Sequence, residues 1–286
     1  MIKKTNLYLL LAIAIISCGR KGPEPLELMK IIPVEGRQGV ATDGEHYYVS
    51  GSTALYKYDR EGILLLSNED PFKGMDGPVN HIGDIDVYDG EIYAGCEFFI
   101  DGNGENIQVA VYDAETLEYK RAIPWNKDSG QVECCGLAVD REHGRVWMAD
   151  WVKGDHLYCY DLATSEYVGK VALDPEPVLQ QGIYCMKGKM IISCDDGDAE
   201  KDEPDNLYIA DMYDHHGNLK IVAEPKLFRV MSDFIKTGEI EGLTFNLVNG
   251  EMTVLANRGA RIILGMPKGF YDGYDREIHE LYVYSK

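Results

Sequence analysis

Five short apolar segments of this chain each open on a residue able to do chemistry, and each carries a glycine within a few positions. The openings are Gln38-Gly39, His81-Ile82-Gly83, Glu133-Cys134-Cys135-Gly136, Gln181-Gly182 and Glu241-Gly242. Glu241 and Glu133 are candidate general acid/base carboxyls, and His81 is a candidate base. The same three residues, Glu241, Glu133 and His81, form a donor set for a cation. Carboxylates and amide oxygens suit Ca²⁺, whereas the imidazole with two carboxylates suits another divalent metal. Gln38 and Gln181 add amides for ligand binding, and Asp84 follows His81 closely enough to join them. A second group gathers further along: Glu97, Asp150 with Trp151, Asp195, and Asn257 with Arg258. Trp151 offers a stacking wall, as do Phe98, Tyr271 and Tyr274, and Asn257 offers an amide. Arg258 and Arg261 either fork onto a ligand carboxylate or phosphate or neutralise neighbouring acids.

Two richer-looking clusters carry less chemistry. Residues 195–205 hold seven acids in eleven positions, but without the spacing and central glycine of a calcium-binding loop, so a solvated acidic loop is expected. His215-His216 falls in a turn, where adjacent imidazoles seldom converge on one metal. The chain has no phosphate-binding glycine loop, dinucleotide fingerprint, nucleophile elbow or HExxH helix. The cysteines after Cys18 are 96, 134, 135, 159, 185 and 194, and they show no zinc spacing, so reduced buried thiols are expected.

The elements that must position these residues repeat. A phrase of the form apolar–Tyr–x–aromatic–Asp returns as Leu55-Tyr56-Lys57-Tyr58-Asp59, Val109-Ala110-Val111-Tyr112-Asp113, Leu157-Tyr158-Cys159-Tyr160-Asp161, Leu207-Tyr208-Ile209-Ala210-Asp211 and Leu281-Tyr282-Val283-Tyr284. Before each phrase stand two alternating segments joined at Gly44, Gly90, Gly144, Gly188 or Gly250, the pattern of a tight hairpin. A fourth alternating segment follows at 63–66, 119–123, 167–171 and 219–222. Four antiparallel strands per repeat of this length make a propeller blade. The last repeat has no fourth strand of its own, and the orphan segment 28–32 fills that place and removes both open edges. The expected fold is therefore all-β, a five-bladed propeller closed by an N-terminal strand. A sixth blade within 213–240 is the alternative, although 226–237 reads as a loop or short helix. Long connections at 67–80, 97–106, 195–206, 224–240 and 257–280 share one face with the five polar openings. Long loops on a rigid scaffold are where binding concentrates.

Composition sets the surroundings. The formal net charge is −20 over 286 residues, which excludes nucleic acid and anionic surfaces as natural partners. Lys3, Lys4 and an apolar run from Leu7 to Ile16 read as an export leader. Ser17-Cys18 resembles the lipobox of bacterial lipoproteins, which implies lipidation at Cys18. The expected organisation is a signal peptide over 1–17, a lipidated tether over 18–26 and one domain over 27–286. The expected location is the cell envelope, with a lipid anchor in the membrane and a monomeric domain.

The first repeat, with Gln38-Gly39, Asp43-Gly44, Tyr47-Tyr48-Val49-Ser50-Gly51 and Leu55-Tyr56-Lys57-Tyr58-Asp59, resembles the opening blade of plant-type and bacterial glutaminyl cyclotransferases. These are exported five-bladed propellers that convert N-terminal glutamine to pyroglutamate. Glu241-Gly242-Leu243-Thr244 is similar to their Glu-Gly-Leu-Thr segment, which in them comes early in the chain and here opens the last blade. Glu241-Gly242 also bears a looser likeness to the metal-bearing strand of six-bladed gluconolactonase-type propellers. The leading expectation is binding of a small polar ligand, glycan or peptide end on the long-loop face, with or without a cation. The rivals are an enzyme of cyclotransferase-like acyl transfer or metal-assisted hydrolysis or elimination, and a protein-interaction scaffold.

Overall fold

The computed structural model describes residues 26–285 apart from 101, 152, 235–237 and 264–265. The expected leader and Cys18 lie outside the described residues.

Five four-stranded antiparallel sheets form a five-bladed propeller. The first blade is Gly39–Thr42, His46–Gly51, Ala54–Asp59 and Leu64–Asn68 from axis to rim. The second is His81–Tyr88, Glu91–Ile100, Asn103–Asp113 and Tyr119–Pro124, and the third Gly136–Asp140, Arg145–Ala149, His156–Asp161 and Tyr167–Leu173. The fourth is Gln180–Met186, Lys189–Cys194, Asn206–Asp211 and Lys226–Val230. The fifth joins Ile240–Phe245, Met252–Arg258 and Ile278–Ser285 to the N-terminal strand Glu27–Val34, which runs antiparallel to Ile278–Ser285 from Glu27↔Ser285 to Val34↔His279. The expected closure therefore holds, and among the described residues the segment 213–240 adds no sixth blade.

The alternation in each strand sends one side chain set to each neighbouring blade. Among the described residues, a buried apolar cluster fills each of the five blade junctions. The recurrent phrase has two structural jobs. Its second aromatic ties down a connection: Tyr58 Oη accepts from Glu35 N at 2.8 Å, Tyr112 Oη donates to Pro71 O at 3.2 Å and Tyr160 Oη accepts from Asn126 N at 3.2 Å. Its aspartate folds the next turn, since Asp59, Asp113 and Asp161 each accept two backbone N–H bonds from the residues just after them.

The fourth blade departs from this pattern. Asp211 is ion-paired with Lys189 instead of closing a turn, and the chain runs on to a turn at Asp214, which accepts from His216 N at 2.8 Å and Asn218 N at 3.0 Å. The segment expected as the outer strand, 219–222, does not pair with this blade. Val222–Ala223 instead adds in parallel to the rim strand of the third blade, Ala172↔Val222 and Leu173↔Ala223. Lys226–Val230, expected as loop or helix, is the true rim strand and pairs with Asn206–Asp211. Residues 97–106 are likewise no loop, because Phe98↔Glu105 and Ile100↔Asn103 continue the strand pairing to the hairpin tip. All six described cysteines are buried and free. No helix among the described residues is long and apolar enough to cross a membrane.

Candidate functional site

At the axis the first strands approach too closely for side chains. A Cβ on Gly39 would stand 2.6 Å from the Asp84 backbone, and one on Gly182 would stand 2.6 Å from Gly242. The glycine is thus a steric requirement in four of the openings, at Gly39, Gly83, Gly182 and Gly242, while Gly136 meets only side-chain atoms beyond 3 Å. At the channel mouth lies a cavity of about 320 Å³ lined by Gln38, His81, Glu133, Gln181 and Glu241, one opening residue from each blade. Trp151 and Phe99 form flat walls, and Arg37, Ser52, Asn80, Cys135 and Glu239 complete the lining.

One wall is organised by Arg37. Its guanidinium donates to Glu239 at 2.9 Å and to Glu277 at 3.2 Å, and stands 3.8 Å from Glu241. Asn257 Nδ2 donates to Glu241 Oε1 at 2.6 Å and to the Arg37 carbonyl at 3.0 Å. Burial alone would lower the Arg37 pKa, but Glu241, Glu277 and Glu239 outweigh it and hold the guanidinium charged. Burial raises Glu241 well above the carboxylate range against the pull of Arg37, and raises Glu239 to about 7 for the same reason. Glu277 is lowered, because hydrogen bonding to His279 and the Arg37 charge overcome its burial.

Among the described residues the other wall holds no lysine or arginine. His81 Nδ1 lies 3.2 Å from Glu97 Oε1, and Glu97 Oε2 accepts from Cys134 N at 3.0 Å. Glu133 accepts from Trp151 N at 2.7 Å, and Asp150 accepts from Val132 N, Glu133 N and Tyr158 Oη at 3.0–3.2 Å. Burial, then repulsion from Asp150, pushes Glu97 up to about 8. Burial, then repulsion from Glu97, pushes Glu133 well above the carboxylate range, and Asp150 rises to about 6 through burial. Burial lowers His81 to about 4, so the ring is neutral at pH 7. If Nδ1 donates to Glu97, Nε2 is left as base or acceptor; if the protonated Glu97 donates to Nδ1, Nε2 carries the ring proton and is a donor.

Three expected site residues serve elsewhere. Asp84 is fully buried one step further along the axis, where its carboxylate accepts from Ile183 N at 3.0 Å, Ile85 N at 2.9 Å and Leu137 N at 3.5 Å. It joins first strands across the channel and does not line the cavity. Arg258 is clamped by Glu280 through two bonds of 2.9 Å and also meets Tyr274 Oη at 3.3 Å, which leaves no fork for a ligand. Asn257 supports Glu241 from behind. The metal expectation meets a geometric obstacle: among the described residues no three His, Cys, Asp or Glu side chains are arranged to hold an ion. Glu133 and His81 are committed to Trp151 N and Glu97, and Glu241 already faces a guanidinium.

The acidic loop also differs from expectation. It folds around the short helix Ala199–Lys201, capped by Asp198, and Asp195 and Asp205 are only part-exposed in the wall of a second cavity of about 250 Å³. His215 and His216 are exposed, as expected. Reading the sequence missed Arg37, Glu239 and Glu277. The alternation Glu239-Ile240-Glu241 and the scarcity of arginine were the available signals.

No family model and no curated protein matches the chain. Among solved structures, hydrazine synthase from Kuenenia stuttgartiensis aligns over 88% of this chain and 64% of its own at 8% identity, with a TM-score of 0.46. Glutaminyl cyclase from Myxococcus xanthus aligns over 90% of this chain and 96% of its own at 12% identity, with a TM-score of 0.56. The chain therefore shares the propeller fold of that cyclase along 90% of its length.

Proposed function

We propose that this protein is an envelope-anchored propeller that holds a small polar ligand carrying an amine, above all the amino-terminal end of a peptide, in its axial cavity. One observation carries the reading. Five polar openings converge on one cavity where carboxyls that retain protons face a neutral imidazole and a fixed guanidinium. Such a set donates and accepts hydrogen bonds without presenting a uniform charge. Trp151 and Phe99 give an amide or sugar plane something to stack on. Anchoring rests on Ser17-Cys18, and Cys18→Ser is expected to move the protein from the membrane to the soluble fraction.

A second reading, cyclotransfer, is favoured by Glu241 of the Glu-Gly-Leu-Thr segment standing buried in this cavity. The α-amino nitrogen of an N-terminal glutamine would attack its own γ-carbonyl carbon. The bond to the side-chain nitrogen would break, and ammonia would leave with a proton from a carboxyl such as Glu241. The amine's proton would restore that carboxyl, so no other reactant is needed. Calorimetry with glutaminyl tripeptides, followed by mass spectrometry for loss of ammonia, separates the readings. Binding without turnover, weakened about tenfold or more in Glu241→Gln, supports the first. Turnover abolished in Glu241→Gln supports the second. Unchanged binding in Glu241→Gln, His81→Asn and Glu133→Gln would sink the axial site.

A further inference from the structure

The outer edge of the ring is not uniform. Each blade ends in a fourth strand at the rim, and an edge strand of this kind normally carries charge. In the second blade it holds Lys120 and Arg121, in the third Lys170, in the fourth Lys226 and Arg229, and in the fifth Glu27 and Lys30. The first blade differs. Its rim strand Leu64–Asn68 has no charged residue, and the run Ile63, Leu64, Leu65, Leu66 is between 36% and 62% exposed. Four consecutive exposed apolar residues on an open edge are a surface that calls for a cover.

The neighbouring rim extends this surface. In the fifth blade the rim is the N-terminal strand Glu27–Val34, where Met29 and Ile31 are exposed. The two rims touch: a Cβ on Gly62 would stand 2.2 Å from Ile32 Cγ2, and Lys30 Nζ donates to the Arg60 carbonyl. Leu227, Phe228 and Val230 of the fourth blade continue the apolar side beyond the N-terminal strand, broken there by Lys226 and Arg229.

The chain that leads into this surface names its cover. Eight residues, 19–26, separate Cys18 from Glu27, a reach of at most about 28 Å when fully extended. With Cys18 lipidated, the fifth-blade rim is the part of the domain held nearest to a bilayer. A tether makes the second contact intramolecular, so an apolar rim too weak to bind lipid alone stays engaged. The direction of the strand sets the posture. Glu27 lies beside Ser285 and Val34 beside His279, so the strand runs along the ring toward the end that carries Glu277 and the Arg37 wall.

We propose that the joined rims of the first and fifth blades rest on the membrane, with Ile63–Leu66 and Met29 in its interfacial layer and the axial cavity opening sideways along it. The lipid is zwitterionic, since a net charge of −20 opposes an anionic surface. This rests on lipidation of Cys18, and the test keeps the two ideas apart.

The lipidated full-length protein would be reconstituted into phosphatidylcholine vesicles with and without bromine on the acyl chains, which quenches nearby tryptophan. The emission added by Leu65→Trp should be largely lost in brominated vesicles, while that added by Val168→Trp, on the third-blade rim, should be retained. Adding Leu64→Glu and Leu66→Glu to Leu65→Trp should restore the emission in protein that still floats with the vesicles. Flotation reports the anchor and quenching reports the rim. Flotation without quenching at Leu65→Trp, or with equal quenching at both positions, would overturn the docking and spare the anchor. Copies cross-linked to each other through that rim, again without quenching, would overturn it in favour of self-association. Protein that fails to float, as expected only of Cys18→Ser, would overturn the anchor and the docking with it.

Discussion

The two walls of the axial cavity solve the same electrostatic problem by opposite means. Around Arg37, three carboxyls are gathered on one permanent cation, with contacts of 2.9 and 3.2 Å and an approach of 3.8 Å. Around His81, the carboxyls of Glu97, Glu133 and Asp150 have backbone N–H groups, a tyrosine hydroxyl, the neutral imidazole itself and one another. The first wall keeps Arg37 and Glu277 charged by compensation, and the second sheds charge by keeping protons. A proton held on a carboxyl can be passed to a ligand, whereas a guanidinium can only orient one. Groups able to pass a proton therefore stand in the His81 wall and, in the Arg37 wall, at Glu241 and Glu239, both raised by burial.

The largest expected effect comes from removing the cation. Arg37→Met should lower stability at pH 7 by about 3–5 kcal/mol, since buried charges are left unpaired. Glu277, lowered in the fold, contributes stability that is present above its unfolded pKa and lost as pH falls through the folded one. That window lies below the ordinary glutamate value of 4.5, so between pH 7 and pH 5 the change comes from Glu239: raised to about 7, it is partly ionised at pH 7 and protonated at pH 5, so the pairing that the variant loses is smaller at pH 5 and the deficit should shrink on acidification. Urea unfolding at pH 7 and pH 5 measures this, and an equal deficit at both would erase the distinction between the walls.

A smaller effect separates the proton-keeping wall. Glu97 is raised to about 8, so its contribution is full below the ordinary carboxylate range and lost as pH rises through 8. His81 has the opposite sign: its lowering to about 4 favours the fold above its ordinary value near 6.5 and is lost as pH falls toward 4. The two oppose each other below pH 6.5; from there to 8 the His81 contribution is complete and Glu97 declines together with the other raised carboxyls, Glu239 among them. In that window Glu97→Gln should make the decline in stability shallower by roughly 2 kcal/mol, at about 1.4 kcal/mol per pH unit for one proton. An unchanged slope in the denaturation series would mean that Glu97 holds no proton. The smallest effect is expected outside both walls. Arg258→Ala should cost about 1 kcal/mol or less as a part-exposed pair and leave peptide affinity unchanged; weakened binding would return Arg258 to the site.

The convergence of Gln38, His81, Glu133, Gln181 and Glu241 was legible in the sequence because a crowded axis demands glycine, and the glycine marks which residue enters the channel. Arg37 stood one position before that marker, where no periodic signal distinguishes a channel residue from a loop residue. Glu97 turns inward because the register shifts between Cys96 and Phe98, an irregularity of pairing that composition does not encode. Rim strand 226–230 was misread because the aspartate that closes the turn elsewhere is tied to Lys189 here. The second cavity depends on residues brought from three separate connections, so its carboxylates read as a solvated run until those connections are seen to meet.

The strand that seals the ring has a consequence for how the molecule comes to exist. Glu27 lies beside Ser285, so the fifth blade needs the two ends of the domain at once. Hairpins within a blade form from neighbours in the chain, but this pairing must close nearly the longest loop available, which is entropically the last and slowest step. Until then the junction holding Ile32, Val40 and Leu281 has only one side. The wall built on Arg37 joins the first blade to Glu239 and Glu277 of the last, across that same junction. The axial cavity is therefore complete only when both of these partner strands are in place, and a copy shortened before the fifth blade would carry the His81 wall with no counterpart facing it.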